Sequence, residues 1–359
     1  MVGVTVRELS SSRAVEPALR AIPTDSTRCR LQAEQPPRCY PRWTNDTRGT
    51  LLNLDTRRKT FCGLLLTITF VFATSATLGA ERIRHTVDID GHPVALWEKS
   101  ATDADEAILL VHGRTWSAVP DFDLEVEGED LSLMDGLAEH GYAVFAVDLR
   151  GYGATPRDAT GWLTPQRAAE DLAGVLEWIA ERRDWRRKPH LFGWSMGSTN
   201  SLLMAQSRPE LVSSLTLFGW WHDLDSELPA DEPGITPQKI ANTAEAAASD
   251  FITPGSISQK AIDAYVAMAL KADPIKTDLR NFDHYNALDP SRIMIPTLVM
   301  QGEHDPIAPT DRQAKLYTRI GSGHKQWVTV PGGDHAAFLE APRSYFLHAL
   351  VSFLEGVPD

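Results

Sequence analysis

Ser195 stands between two glycines in Gly193-Trp194-Ser195-Met196-Gly197. Leu191 and Phe192 lead into this stretch, and Leu202, Leu203 and Met204 follow in a helix-like pattern. A strand handing over to a helix through a tight turn would hold the serine on a strained bend, with the residues two positions away on each side pressed together. Only residues without a side chain fit there, so Gly193 and Gly197 become steric requirements. The hydroxyl then stands at a helix N-terminus, where free N–H groups and the helix dipole favour negative charge. That is the chemistry of a nucleophile, and a serine hydroxyl needs a base to take its proton and a carboxylate to hold the base. His335, in "VPGGDHAAF", follows the apolar run Val328 to Val330. Asp305, in "MQGEHDPIAP", follows the run Pro296 to Met300. Chain order is therefore Ser195, Asp305, His335, with Glu303, Asp223 and Asp225 as alternative acids. An oxyanion needs two N–H donors: Met196, just after the nucleophile, offers one, and Arg114, after His112-Gly113, the other.

The surrounding elements must bring these residues to one edge. "IRHTVDIDGHPVALWEKS" alternates around Asp90-Gly91 as a β-hairpin. "AILLVHG", "YAVFAVDLRGYG", "SSLTLFGWW", "PTLVMQG" and "QWVTVPGG" read as further strands, and "LSLMDGLAEHG" as a helix stopped by Gly141. Thr164-Pro165 starts a helix to Arg183, with Ala168, Leu172, Val175, Leu176 and Ile179 on one face. Helices begin at about Pro309 and Ala336. Strands buried on both faces alternating with helices make a mostly parallel sheet covered on both sides, and in such sheets sites form beyond the carboxyl ends of the strands. Residues 222–290 break the rhythm. They hold helical stretches ("TPQKIANTAEAAASDFI", "SISQKAIDAYVAMALKA") and no strand, which reads as a helical lid inserted after the sixth strand.

The 359 residues carry a formal charge of -13, unevenly spread. Residues 1–80 hold 11 Lys/Arg against 6 Asp/Glu, and the remainder 24 against 42. An acidic globule repels polyphosphate, which argues against a nucleic-acid partner. All three cysteines (Cys29, Cys39, Cys62) lie in the first 80 residues, so the globular part has no disulfide and no cysteine nucleophile. Arg57-Arg58-Lys59, an apolar stretch and then small residues have the build of a secretory signal peptide over 57–80, cleaved after Ala76 or Ala80. Export to the periplasm or medium follows. Contact with the membrane is then transient, unless residues 61–78 stay as an uncleaved anchor. Residues 1–56, rich in Arg, Pro and Thr, read as disordered or as a start assigned too far upstream. Residues 81–359 form the expected catalytic domain.

"HGRTW", "DLRGYG", "GWSMG", "GEHDPI" and "GGDHAAF", in this order, resemble the α/β-hydrolase superfamily. The likeness spans nearly everything from residue 83 onward. It implies an eight-stranded, mostly parallel sheet, a variable lid, and no metal or organic cofactor. Serine at the elbow points to the carboxylesterase and lipase-like branch and away from dehalogenases and epoxide hydrolases, which resemble it but place aspartate there. The HGGG form of one esterase group is replaced by His112-Gly113-Arg114. The expected activity is hydrolysis of a small-molecule carboxylic ester through an acyl-enzyme. An amidase or peptidase on the same fold, and a non-catalytic ligand-binding form, are the alternatives. Trp116, Trp194, Trp220 and Trp221, near strand ends, are candidate pocket walls for a bulky, aromatic or lactone ester. His112 is expected to buttress the oxyanion loop, and Asp148 and Arg150 to fix the turn after their strand. His222, His284 and His304 show no metal-ligand spacing.

Overall fold

The computed structural model describes residues 81–358. The expectations for the leader at 57–80 and for residues 1–56 lie outside the described residues. Among the described residues no helix is long and apolar enough to cross a membrane.

β1 (Ile83–Ile89) and β2 (His92–Ser100) form an antiparallel hairpin. Its two turn residues, Asp90 and Gly91, have φ of 53° and 78°, the paired positive values that a two-residue hairpin turn of the I′ kind demands. β3 (Glu106–Val111), β4 (Tyr142–Val147), β5 (His190–Trp194), β6 (Ser214–Phe218), β7 (Thr297–Gly302) and β8 (Lys325–Val330) complete an eight-stranded sheet in the order β1-β2-β4-β3-β5-β6-β7-β8. Only β1–β2 and β2–β4 pair antiparallel; every other pair is parallel. β3 through β7 are buried along their whole length, which is why they read as continuous apolar runs rather than alternating ones.

Helices cover both faces. On one face α3 (Pro165–Arg182) turns Leu172, Val175, Leu176 and Ile179 into the core beside α4 (Met196–Ser207) and Leu316 of α7 (Thr310–Arg319). Thr164 caps α3 by accepting from the N–H of Arg167, as the Thr-Pro start requires. On the other face lie α1 (Ala118–Phe122), α2 (Leu133–Glu139) and α8 (Arg343–Glu355). The last helix begins at Arg343, not near Ala336, because Asp334 to Leu339 form turns in which the Asp334 side chain accepts from the N–H of Ala336.

Between β6 and β7 the chain adds no strand to the sheet. It carries α5 (Ala244–Ala248) and α6 (Gln259–Ala272), then short 3-10 turns at Phe282–Ala287 and Pro290–Arg292. The stretch 236–252 is far less helical than its sequence suggests. Ala241 pairs with Ile275 in an isolated bridge, and the N–H groups of Gln238 and Lys239 donate to Asp278, which holds that segment extended. Tertiary contacts override helix propensity there.

Candidate active site

β5 ends at Trp194, and α4 begins at Met196. Ser195 between them has φ 54° and ψ -120°, a backbone conformation that a non-glycine residue adopts only under constraint. The two flanking glycines show the constraint. A Cβ on Gly193 would lie 2.4 Å from the Gly197 carbonyl oxygen, and one on Gly197 would lie 2.2 Å from that of Val111. The turn closes only if both side chains are missing.

β5, β6, β7 and β8 are parallel neighbours, so their carboxyl ends open on one edge. Asp305 follows β7 by three residues and His335 follows β8 by five. Asp305 Oδ2 lies 2.7 Å from His335 Nδ1. Its other oxygen, Oδ1, accepts from the N–H groups of Ile307 and Ala308 at 2.9 and 3.0 Å, so both oxygens of the buried carboxylate are engaged and its orientation is fixed. The Trp194 indole donates to the His335 carbonyl at 2.7 Å, tying the imidazole loop to the residue beside the serine. Ser195 and His335 line one cavity of about 510 Å³. Among the described residues no hydrogen bond reaches the Ser195 hydroxyl; contacts of this kind tighten in complexes with substrate.

The alternative acids are elsewhere. Asp223 pairs with Lys315 at 2.8 Å, Asp225 with Lys315 and Arg319, and Glu303 accepts from the N–H of Gly332. All of these belong to exposed or half-exposed surface networks.

Met196 and Arg114, whose N–H groups are the expected donors, line the same cavity as the serine. The N–H of Met196 is the first of α4 and has no partner within the helix. The loop after β3 passes so close that a Cβ on Gly113 would lie 3.4 Å from Ser195 Cβ. Among the described residues neither the N–H of Met196 nor that of Arg114 meets an acceptor. His112 holds this loop. Its Nδ1–H donates to the Gly113 carbonyl at 2.9 Å, and its Nε2 accepts from the N–H of Leu149 at 3.1 Å. Both bonds require the neutral ring, and burial pushes the imidazole down to about 4. Asp148 accepts from Trp97, Ala118 and Ala154, and Arg150 forks onto Asp171. Both residues brace the turn after β4.

Trp116, Trp194 and Trp221 line the cavity. Trp220 does not. It is fully buried in the core on the α3 and α4 face, with its indole bonded to the His222 carbonyl at 2.6 Å. Adjacent residues leaving a strand point to opposite sides, so only one of Trp220 and Trp221 can face the cavity. Several lining residues carry no local motif: Asp121 of α1, Asp250 and Phe282 of the insertion, and Arg312 of α7. Their only sequence signal was membership of segments that the topology later folds over the strand ends. Among the described residues one three-carboxylate cluster, Asp123, Glu125 and Asp135, has the spacing of a cation site. Lys99 Nζ already fills it, at 2.7, 3.1 and 2.9 Å from the three carboxylates.

An eight-stranded, mostly parallel sheet with a strained serine elbow and an Asp–His pair at its carboxyl edge defines an α/β-hydrolase. The chain belongs to the serine aminopeptidase, S33, family of hydrolases, whose model matches residues 102–342. It is 25% identical over 258 residues to a pimeloyl-[acyl-carrier protein] methyl ester esterase of Aeromonas salmonicida, covering 61% of this chain and 93% of that protein. A 2-hydroxy-6-oxo-6-(2'-aminophenyl)hexa-2,4-dienoic acid hydrolase of Metapseudomonas resinovorans is 23% identical over 264 residues, 71% of this chain and 86% of its own. Among solved structures, a thermophilic esterase from Thermogutta terrifontis superposes with a TM-score of 0.57 at 21% identity, over 77% of this chain and 99% of that one; this likeness is one of fold.

Proposed function

We propose that this protein cleaves carboxylic esters through an acyl-enzyme, with Ser195 as nucleophile, His335 as general base and then general acid, and Asp305 as the carboxylate that orients His335. The observation that carries this reading is the 2.7 Å Asp305–His335 contact on the same cavity wall as a serine held at φ 54°. In this mechanism His335 Nε2 takes the Ser195 proton as Oγ attacks the ester carbonyl. The oxyanion is met by the N–H groups of Met196 and Arg114. His335 then returns the proton to the leaving alcohol, and water repeats the sequence to release the acid. Asp305 lowers the cost of charging the imidazole at each step.

The Aeromonas relative is named for methyl ester cleavage, which supports an ester in preference to an amide. The family description names an aminopeptidase, so the deciding experiment pairs matched esters and amides. Esters are expected to turn over, and Ser195→Ala is expected to lower kcat by several orders of magnitude without loss of folded structure. A fluorophosphonate probe should label the wild type alone. Labelling that persists in Ser195→Ala removes the serine from its role, and faster turnover of amides than esters overturns the substrate class.

A further inference from the structure

The cavity that holds Ser195 and His335 has mainly aromatic and aliphatic walls, yet one part of it carries polar groups: the buried Trp116 and Asp121 and the half-buried Asp250. Behind them the hydroxyl of Tyr265, on α6, lies 2.9 Å from Asp121 Oδ1 and 3.1 Å from Asp250 Oδ2. A phenol has one hydrogen. It donates to one carboxyl and accepts from the other, so one of the two aspartates brings a proton to this chain. Asp121 is 0% exposed and Asp250 only partly buried, which makes Asp121 the neutral partner. Burial, reinforced by the nearby Asp250, pushes the Asp121 carboxyl well above the usual carboxylate range, while Asp250 rises only to about 6. With its proton on Oδ1 toward Tyr265, Asp121 presents Oδ2 as a pure acceptor.

That Oδ2 has no partner of ordinary hydrogen-bond geometry, although the Gly113 N–H lies near enough to Asp121 to favour its charged form, and neither has Trp116 Nε1, although the indole faces Asp250 closely enough to favour its charged form. Trp116 is only 2% exposed. One unpaired acceptor and one unpaired donor therefore belong to residues in the wall of a single cavity. Buried polar groups are almost always satisfied, and an apolar substrate chain pressed against this wall would leave both desolvated and unpaired.

We propose that Trp116 and Asp121 form a subsite for a hydroxyl group of the substrate, its oxygen accepting from Trp116 Nε1 and its hydrogen going to Asp121 Oδ2. The inference rests on the ester reading above. A hydroxyl supplies both a donor and an acceptor. An ammonium group supplies donors only and would meet the indole N–H head-on. Arg114, over the Phe282 ring, and Arg312, which donates to the Trp221 carbonyl, line the same cavity with their positive charge, which disfavours a further cation there.

The test is kcat/KM for matched esters that end in a hydroxyl, a methyl or an ammonium group, with that group placed on the acyl chain in one series and on the alcohol in another. In one series the wild type should prefer hydroxyl over methyl about tenfold or more, because a site that bonds a hydroxyl rejects the analogue without it. Trp116→Phe keeps a ring and deletes the N–H, and should bring that ratio close to one. If Trp116→Phe fails to fold, Asp121→Asn is the second arm: its amide donates to Tyr265 and accepts from the substrate hydroxyl as the neutral acid does, so the hydroxyl preference should survive there, and its loss overturns the subsite. Equal turnover of hydroxyl and methyl esters in both series, preference for the ammonium ester, or a hydroxyl preference untouched in Trp116→Phe overturns the subsite while leaving Ser195-dependent ester cleavage standing. Failure to turn over any ester overturns the ester reading and this inference with it.

Discussion

At the scale of single residues, the proposed site depends on one carboxylate chosen from four candidates in the sequence. Asp305 has both oxygens committed, one to His335 and one to two backbone N–H groups. Asp305→Asn keeps the shape but offers an amide where the ring needs an acceptor, which favours the wrong tautomer; the loss in kcat/KM should approach the roughly 10⁴-fold known for such changes. Asp223→Asn and Asp225→Asn remove half-exposed partners of Lys315 and Arg319 and should stay within about threefold of wild type. Near-normal activity in Asp305→Asn beside a collapse in either of the others would move the acid to the end of β6. His112 makes a different prediction. Its imidazole sits at about 4 in the folded chain against a reference near 6.5. The unfolded state therefore binds more protons between these values. The neutral ring's contribution is complete above about 6.5 and is lost as pH falls toward 4, by roughly 3 kcal/mol at the order-of-magnitude level. Thermal melts of wild type and His112→Gln between pH 4 and 7 read this directly, and an unchanged slope in the variant would refute it.

At the scale of the element, the strand–turn–helix around Ser195 is the most constrained piece of chain. A Cβ on Gly197 would meet the carbonyl oxygens of Val111 and His112 at 2.2 and 2.6 Å, and neither belongs to a flexible side chain that could give way. Gly197→Ala should thus cost about 3 kcal/mol or more, seen as a lowered Tm or lost soluble yield, with activity falling in step. Gly323→Ala has nothing within 4 Å of the added carbon and should change stability by no more than about 0.5 kcal/mol. A tolerant Gly197→Ala would mean that the elbow relaxes and that the strained serine is not locked by its neighbours. The insertion shows the opposite regime. Its stretch 236–252 holds alanine-rich, helix-prone sequence, yet only Ala244–Ala248 is helical, because its backbone bonds to Asp278 and Ile275 instead. Local propensity decides little where distant partners compete for the same N–H groups.

At the scale of the whole molecule, residues 81–358 hold two apolar layers, one on each face of the sheet, and the site sits on the edge between them. We propose that the protein is exported and that residues 57–80 are its signal segment. Mature protein from the native host should then begin between about Ala76 and Glu81, read by intact mass, and a chain starting at Glu81 should keep full ester turnover and the same Tm. Retention of residues 1–56 in a cytosolic protein would reject export.

The sequence by itself determined the fold class and the triad candidates. Parallel strands buried on both faces leave continuous apolar runs, the elbow leaves two obligatory glycines, and the acid and base follow strand ends in a fixed order. These are local requirements, and local requirements are written in consecutive residues. Only the tertiary structure decided which carboxylate meets His335, that Trp221 faces the cavity while Trp220 goes to the core, and that Asp121, Asp250 and Tyr265 meet behind the wall. Asp121 and Tyr265 lie 144 residues apart and meet through one hydrogen bond. Such contacts arise from how α1 and α6 pack over the strand ends, and packing between distant segments leaves no periodic trace in the chain.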